Sequence, residues 1–438
     1  MPVRIPLLAI AVAAAACLGA QSLPAAASDT VVSRGVTIPA FYDPPAALPA
    51  ADGTVIRSEP LPLALSLPGI DGPLPGRATR LMYKSTDSNG DPVAVTGAYI
   101  EPTAVWRHGG PRPLVAVAPG TMGQGDQCAA SLGLEHPLTL NGRTLSVGYE
   151  DLAIYRLLAE GVAVVVTDYV GLGATDRLHT YVNRLDGAHA VLDAVRAART
   201  VDGASVTAAS PVGLYGYSQG GGATAAAAEL QPSYAPDVTL AGTYSGAPPA
   251  DLAAVTAAID GSDLAGALGW AVNGFVQSDP ALRPVAEAHL NAAGKAALAD
   301  LSTMCVGDAI LAYGSAHSTA WTTDGRTISD IVAAEPALKA FLDRQRIGTL
   351  RPASPVRVAT GVSDDLVPHA QARRLAVDWC RAGADVTYVP VLLPGVGRAL
   401  LNHFAPLLSD QGAAIAWLTD RLSGRPAAST CWSLPAQP

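Results

Sequence analysis

The sequence predicts an α/β fold built on a mostly parallel sheet with helices on both faces, and three observations support this. From Pro113 onward, short apolar runs alternate with amphipathic, alanine-rich stretches. The runs are almost continuously apolar, as strands covered on both faces require. Hydrophobic residues make up 49% of the 438 positions, enough for a sizeable core.

The chain opens with Arg4 ahead of the apolar run Ile5 to Gly19, then Ala25-Ala26-Ala27 before Ser28 and Asp29. Charge, length and small residues predict a secretory signal over residues 1–27 and an exported protein. Ala14-Ala15-Ala16-Cys17 lacks the leucine of a lipoprotein site, so a lipid anchor at Cys17 is not expected. No later run approaches the roughly 18 apolar residues of a membrane span. Residues 29–76, rich in proline and glycine, read as an arm wrapping a domain. Residues 77–84 and 93–101 alternate around Ser88-Asn89-Gly90-Asp91-Pro92, which predicts a hairpin whose Asp87 and Asp91 serve turn chemistry rather than calcium.

The repeating part then runs through strand Leu114 to Ala118, helix Glu150 to Ala159, strand Val162 to Thr167 and helix Asn183 to Thr200. Strand Val212 to Tyr215, helix Gln219 to Leu230 and strand Val238 to Tyr244 continue it. Residues 250–350 break the rhythm with helical sequence such as Asp263 to Val276 and Pro284 to Leu301. Strand Val356 to Thr360, helix Gln371 to Arg381, strand Val386 to Val391 and helix Asp410 to Leu422 resume it. We therefore expect one sheet in two blocks, 28–249 with its N-terminal arm and 351–438. A helical cap over 250–350 would sit above the strand ends.

Gly216-Tyr217-Ser218-Gln219-Gly220 joins an apolar strand to an alanine-rich helix. With 43 glycines in the chain the motif alone is weak evidence, so the setting carries the argument. Between strand and helix it reads as a nucleophile elbow: the turn is so sharp that its flanks must be glycine, and the serine hydroxyl stands exposed at the sheet edge. A serine hydroxyl needs a histidine to take its proton and a carboxylate to hold that histidine. In α/β hydrolases these follow the serine as acid, then histidine. Asp364, in the loop after strand Val356 to Thr360, is preferred to Asp365 as the acid. His403 follows strand Val386 to Val391 and a glycine-containing loop, whereas His369 lies too near the acid's own loop, so His403 is the expected base. For the oxyanion, Gln219 supplies one N–H by position, and Pro119-Gly120-Thr121-Met122-Gly123 suits the other through Thr121.

Asp168-Tyr169-Val170-Gly171-Leu172-Gly173 follows a strand, but Asp176 stands where a dinucleotide loop needs its third glycine, so it reads as a tight turn bordering the site. Asp193 and Arg196 on the following helix read as a local ion pair or as a contact that supports the site from behind. A net charge of −9 and only three lysines, Lys84, Lys295 and Lys339, argue against nucleic acid. Cys128, Cys305, Cys380 and Cys431 remain after the signal is removed and predict two disulfides with three connectivities open.

Together these residues resemble the secretory lipase family, the lipase-A-type α/β hydrolases with a helical cap. The resemblance begins at Phe41-Tyr42-Asp43-Pro44-Pro45 and Ile56-Arg57-Ser58-Glu59-Pro60-Leu61. It continues through Gly120-Thr121 leading to Cys128, the turn from Asp168 to Gly173, and Gly361 to Pro368. It implies the α/β-hydrolase fold, Ser218 as nucleophile, Asp364 as acid, His403 as base, and disulfides Cys128 to Cys305 and Cys380 to Cys431. Bacterial members commonly carry a histidine before the oxyanion-loop glycine, where this chain has Pro119. The implied substrates are acylglycerols and other carboxylic esters, with contact to a lipid interface and no metal or organic cofactor. Leu264, Leu268, Trp270, Phe275 and Val276 could line an acyl site, Trp270 and Phe275 foremost, or form the cap's own core. Two rival readings remain. A peptidase of this fold would use cap acids such as Asp251, Asp260, Asp263 and Asp279 to hold a free amine. A silent binding module would not need the intact Ser218, Asp364 and His403.

Overall fold

The computed structural model describes residues 31–69, 72–141, 143–397 and 400–438; the expected signal, with Cys17, lies outside them. After a ribbon of β1 (Val32–Ser33) and β2 (Val36–Thr37), the chain forms β3 (Val55–Leu61), β4 (Gly76–Thr86) and β5 (Pro92–Pro102). Next come β6 (Leu114–Ala118), α1 (Ala130–Glu135), a second ribbon of β7 (Leu138–Asn141) and β8 (Thr144–Val147), and α2 (Asp151–Ala159). Then follow β9 (Ala163–Val170), α3 (Arg184–Ala198), β10 (Val212–Tyr217), α4 (Gln219–Tyr234) and β11 (Leu240–Gly246). Seven helices intervene: α5 (Leu252–Ile259), α6 (Ala267–Ser278), α7 (Arg283–His289), α8 (Ala292–Leu301), α9 (Val306–Tyr313), α10 (Ile328–Ala334) and α11 (Pro336–Arg344). The chain closes with β12 (Val356–Gly361), α12 (His369–Arg381), β13 (Val386–Val391) and α13 (Leu400–Leu422).

Nine strands form one sheet in the order β13-β12-β11-β10-β6-β9-β5-β4-β3. Every pairing from β13 to β9 is parallel, and β3, β4 and β5 add an antiparallel flank. The parallel strands are apolar on both faces because both are covered; β9 buries Val164, Val165 and Val166 completely. On one side α3, α4 and α12 pack through Ala190, Ala194, Ala226, Leu375 and Trp379. On the other α1, α2 and α13 pack through Leu134, Leu157, Ile415 and Leu418. Alanine lets α3 and α4 lie close, so the pattern that marked them as helices also fixes their packing.

Four expectations need correction. The arm is not wholly irregular: β3 extends the sheet, and its Pro60 is tolerated because β3 is the edge strand, whose outer side needs no N–H donor. The expected helix Pro284 to Leu301 is two helices, because Leu290 is extended and the Asn291 side chain caps a fresh start by accepting from Gly294 N at 2.9 Å. The helix expected from Asp263 begins at Ala267. The last helix runs from Leu400 rather than Asp410 and accommodates Pro406 near its start.

The strand order places the site. Gly216 of β10 lies beside Ala118 of β6. The chain leaves β6 toward β9 on one side and leaves β10 through α4 toward β11 on the other. Adjacent strands whose connections diverge leave a crevice at their C-terminal ends.

Candidate active site

Ser218 occupies that crevice with φ 58° and ψ −124°, a left-handed conformation that L side chains rarely adopt. Its amide donates to Gly246 O at 2.9 Å and its carbonyl accepts from Gly222 N at 3.0 Å, so strand and helix together hold the turn. The flanking glycines are required by space. A Cβ on Gly216 would lie 2.3 Å from Gly220 O, and one on Gly220 would lie 1.9 Å from Ala118 O.

Asp364, in the loop after β12, accepts from Leu366 N at 3.1 Å and Val367 N at 3.0 Å through Oδ1. Its Oδ2 is 2.7 Å from His403 Nδ1, and the two side chains are 0% and 2% exposed. A carboxylate can only accept, so Nδ1 carries the proton and Nε2 is left to face a reacting group. His403 lies in the first turn of α13, held beside the elbow by Tyr217, whose hydroxyl donates to His403 O at 2.7 Å. The Tyr217 and His403 rings are 5.2 Å apart. Among the described residues neither Ser218 Oγ nor His403 Nε2 has a hydrogen-bond partner.

The loop after β6 is pinned by Tyr169, from the turn noted in the sequence, and by Glu150 and Tyr149, whose roles the sequence does not single out. Tyr169 donates to Pro119 O at 2.6 Å, Gly120 N donates to Glu150 Oε1 at 2.8 Å, and Tyr149 donates to Thr121 O at 3.0 Å. Burial pushes the Glu150 carboxyl up to about 7. Among the described residues the Thr121 N–H stays without a partner. Gln219 N–H, at the start of α4, is one of the donors that a helix cannot satisfy internally. The Gln219 side chain donates to His179 Nε2 at 3.0 Å, while His179 Nδ1 donates to Val170 O at 2.9 Å. Burial lowers the His179 pKa to about 4 and keeps the ring neutral, which this two-sided arrangement demands. Neither Glu150 nor His179 belongs to a spacing motif. The available signal was a lone histidine upstream of the nucleophile, which the acid-then-histidine order sets aside.

The seven-helix insert roofs this crevice. A cavity reaches Ser218 and Gln219 and is walled by apolar residues including Leu252, Leu264, Leu268, Phe275 and Leu366. A second cavity, lined by insert residues alone, shares Thr256, Leu268, Ala271 and Phe275 with the first, and Phe275 is the bulkiest of the four. Val276 lines only the second. Trp270 lines neither; fully buried, it donates from Nε1 to Leu301 O at 2.8 Å within the insert's own core. Cys128 is bonded to Cys305, tying the loop beyond Thr121 to the start of α9, and Cys380 is bonded to Cys431.

The other singled-out residues have structural partners. Asp87 accepts from Asn89 N and Asp91 N in its turn. Asp168 is buried and accepts from Ser131 and Thr96. Asp193 pairs with Arg196, which also pairs with Asp237. Of the insert acids, Asp251 pairs with Arg346 and Asp279 with Arg344, Asp260 accepts from Ser318 N, and Asp263 accepts from Leu400 N. Each of these four acids has a partner within the protein. Among the described residues no helix is long and apolar enough to cross a membrane.

Known proteins resemble this chain in sequence and in fold. A "probable inactive lipase" of Mycobacterium tuberculosis is 31% identical over 88% of this chain and 82% of its own length. "Lipase 10" of Candida albicans is 27% identical over 91% and 84%. The closed-state structure of Candida antarctica lipase A superposes with a TM-score of 0.76 over 89% of this chain and 87% of that one, at 20% identity. The fold is therefore that of the lipase α/β hydrolases. The family model described as secretory lipase matches residues 134–430, well over half of the sequence. This chain belongs to the secretory lipase family.

Proposed function

We propose that this protein is an exported serine hydrolase that cleaves carboxylic esters of the acylglycerol type. Ser218 Oγ attacks the ester carbonyl carbon as His403 Nε2 takes its proton. Asp364 holds the Nδ1 proton and stabilises the imidazolium that results. The N–H groups of Thr121 and Gln219 hold the charged oxygen. Collapse of the tetrahedral species expels the alcohol with the proton from His403 and leaves an acyl group on Ser218. Water, deprotonated by His403, then attacks the acyl carbon and frees the acid and the serine. The observation that carries this reading is the left-handed Ser218 elbow beside the buried Asp364–His403 pair.

The substrate class is argued from the roof. A cavity at Ser218 walled by apolar side chains, with a second one that shares Phe275, suits the acyl chain of an ester better than a polar leaving group. Family membership supports export, with residues 1–27 removed before the protein acts. The test is a series of p-nitrophenyl esters of rising chain length and an emulsified triacylglycerol, run with wild type and Ser218→Ala. Ester hydrolysis lost by about 10⁴-fold or more in the variant supports the assignment. Retention of more than about a hundredth of wild-type activity removes Ser218 from the mechanism.

A further inference from the structure

Tyr181 lines the same cavity as Ser218 and Gln219, and its hydroxyl lies 2.8 Å from Thr121 Oγ1. The mechanism above leaves this contact unused. The fold nevertheless holds the tyrosine from several sides. Val182, the next residue, has φ 55°, which is strained for a β-branched side chain. Helix α6 approaches so closely that a Cβ on Gly274 would lie 2.7 Å from Tyr181 N. The Tyr181 ring stands edge-on to Trp270 at 5.7 Å and to His179 at 6.0 Å. Burial pushes the phenol up to about 12, so it keeps its proton.

A threonine hydroxyl has one proton to give and two lone pairs to accept with. If the phenol fills one lone pair of Thr121, the threonine proton is free to turn toward the cavity. Tyr149 donates to the Thr121 carbonyl oxygen and so holds this part of the loop backbone in place.

We propose that Tyr181 is a positioning residue of the oxyanion site: it donates to Thr121 Oγ1 and directs the Thr121 hydroxyl at the substrate oxygen, as a donor beside the Thr121 and Gln219 N–H groups. No proton changes owner; the phenol and the hydroxyl only orient. The inference rests on the ester-hydrolase reading, and it makes α6 of the insert part of what shapes the oxyanion site.

The test is kcat and KM on a short soluble ester for Tyr181→Phe, Thr121→Val, Thr121→Ser and the Tyr181→Phe/Thr121→Val double variant. We expect kcat to fall about tenfold in Tyr181→Phe and about a hundredfold in Thr121→Val, with KM within about twofold. Thr121→Ser keeps most of kcat, and the double variant is no worse than Thr121→Val, because Tyr181 acts only through Thr121. An unchanged kcat in Tyr181→Phe overturns the proposal. So do losses that multiply in the double variant, or a loss confined to KM. Should Tyr181→Phe not fold, equal losses in Thr121→Val and Thr121→Ser overturn it. Fluorophosphonate labelling of wild type separates the two layers: no labelling defeats the hydrolase reading, whereas labelled wild type with full activity in Tyr181→Phe defeats this inference alone.

Discussion

The sheet and the helical insert meet at Ser218 but are built to opposite tolerances. In the sheet the elbow leaves no room: a Cβ on Gly220 would fall 1.9 Å from a neighbouring carbonyl oxygen, and Tyr169, Glu150 and Tyr149 each fix one group of the facing loop. The insert is a set of short helices around two apolar cavities. The contrast assigns different jobs. Positions that must hold reacting atoms to fractions of an ångström lie at strand ends. Those that must accommodate a chain lie where space is left.

If that division is right, the largest loss should come from the sheet side. Asp364→Asn keeps the shape of the acid while removing its charge, so kcat should fall by about 10⁴-fold with the fold intact. A fall of less than tenfold would mean that the carboxylate only packs against His403. Gly220→Ala should be nearly as severe, costing about 3 kcal/mol of stability or more, because the new methyl meets backbone that cannot move aside. Chemical denaturation would check this, and an unchanged midpoint would show that the elbow has slack.

Glu150→Gln tests the support beneath the loop after β6. The buried carboxyl titrates near 7 when folded, against 4.5 as the ordinary value. Between these pH values the folded state binds more protons than the unfolded state, so this group makes wild type lose stability as pH rises through that window. The glutamine variant still accepts from Gly120 N and does not titrate. Its stability relative to wild type should therefore rise from pH 4.5 to 7, by on the order of 2 to 3 kcal/mol. A difference that stays flat across that range would contradict the buried-acid account.

On the insert side, Phe275→Ala removes the bulkiest side chain that the two cavities share. We expect the preferred ester chain to lengthen, with relative kcat/KM for long over short esters rising about tenfold. The rate on the shortest ester should stay within about threefold. A uniform loss across the series would instead place Phe275 in the catalytic framework.

The same contrast explains what the sequence makes legible. The strand Leu114–Ala118 can be read to its ends because it is buried and apolar on both faces. Ser218 stands out because its glycines are local necessities, and Asp364 and His403 because chain order narrows the choice. Edge strand β3 is hidden by Pro60, whose tolerance depends on there being no neighbour on one side. Glu150 and His179 are hidden for another reason: their roles come from contacts with Gly120 and Gln219, 30 and 40 residues away in sequence, which no periodicity encodes. The division of Pro284 to Leu301 turns on a single Asn291 cap. Trp270 and Phe275 look alike as apolar helix residues, and only packing puts one in a core and the other on a cavity wall.

The most direct measurement is intact mass and peptide mapping after reaction with a fluorophosphonate, comparing wild type with His403→Ala. The account predicts one phosphonyl group on Ser218 in wild type and a reaction slowed by about a thousandfold or more when the imidazole is gone. An adduct on any other residue, or equal rates in both proteins, would contradict it.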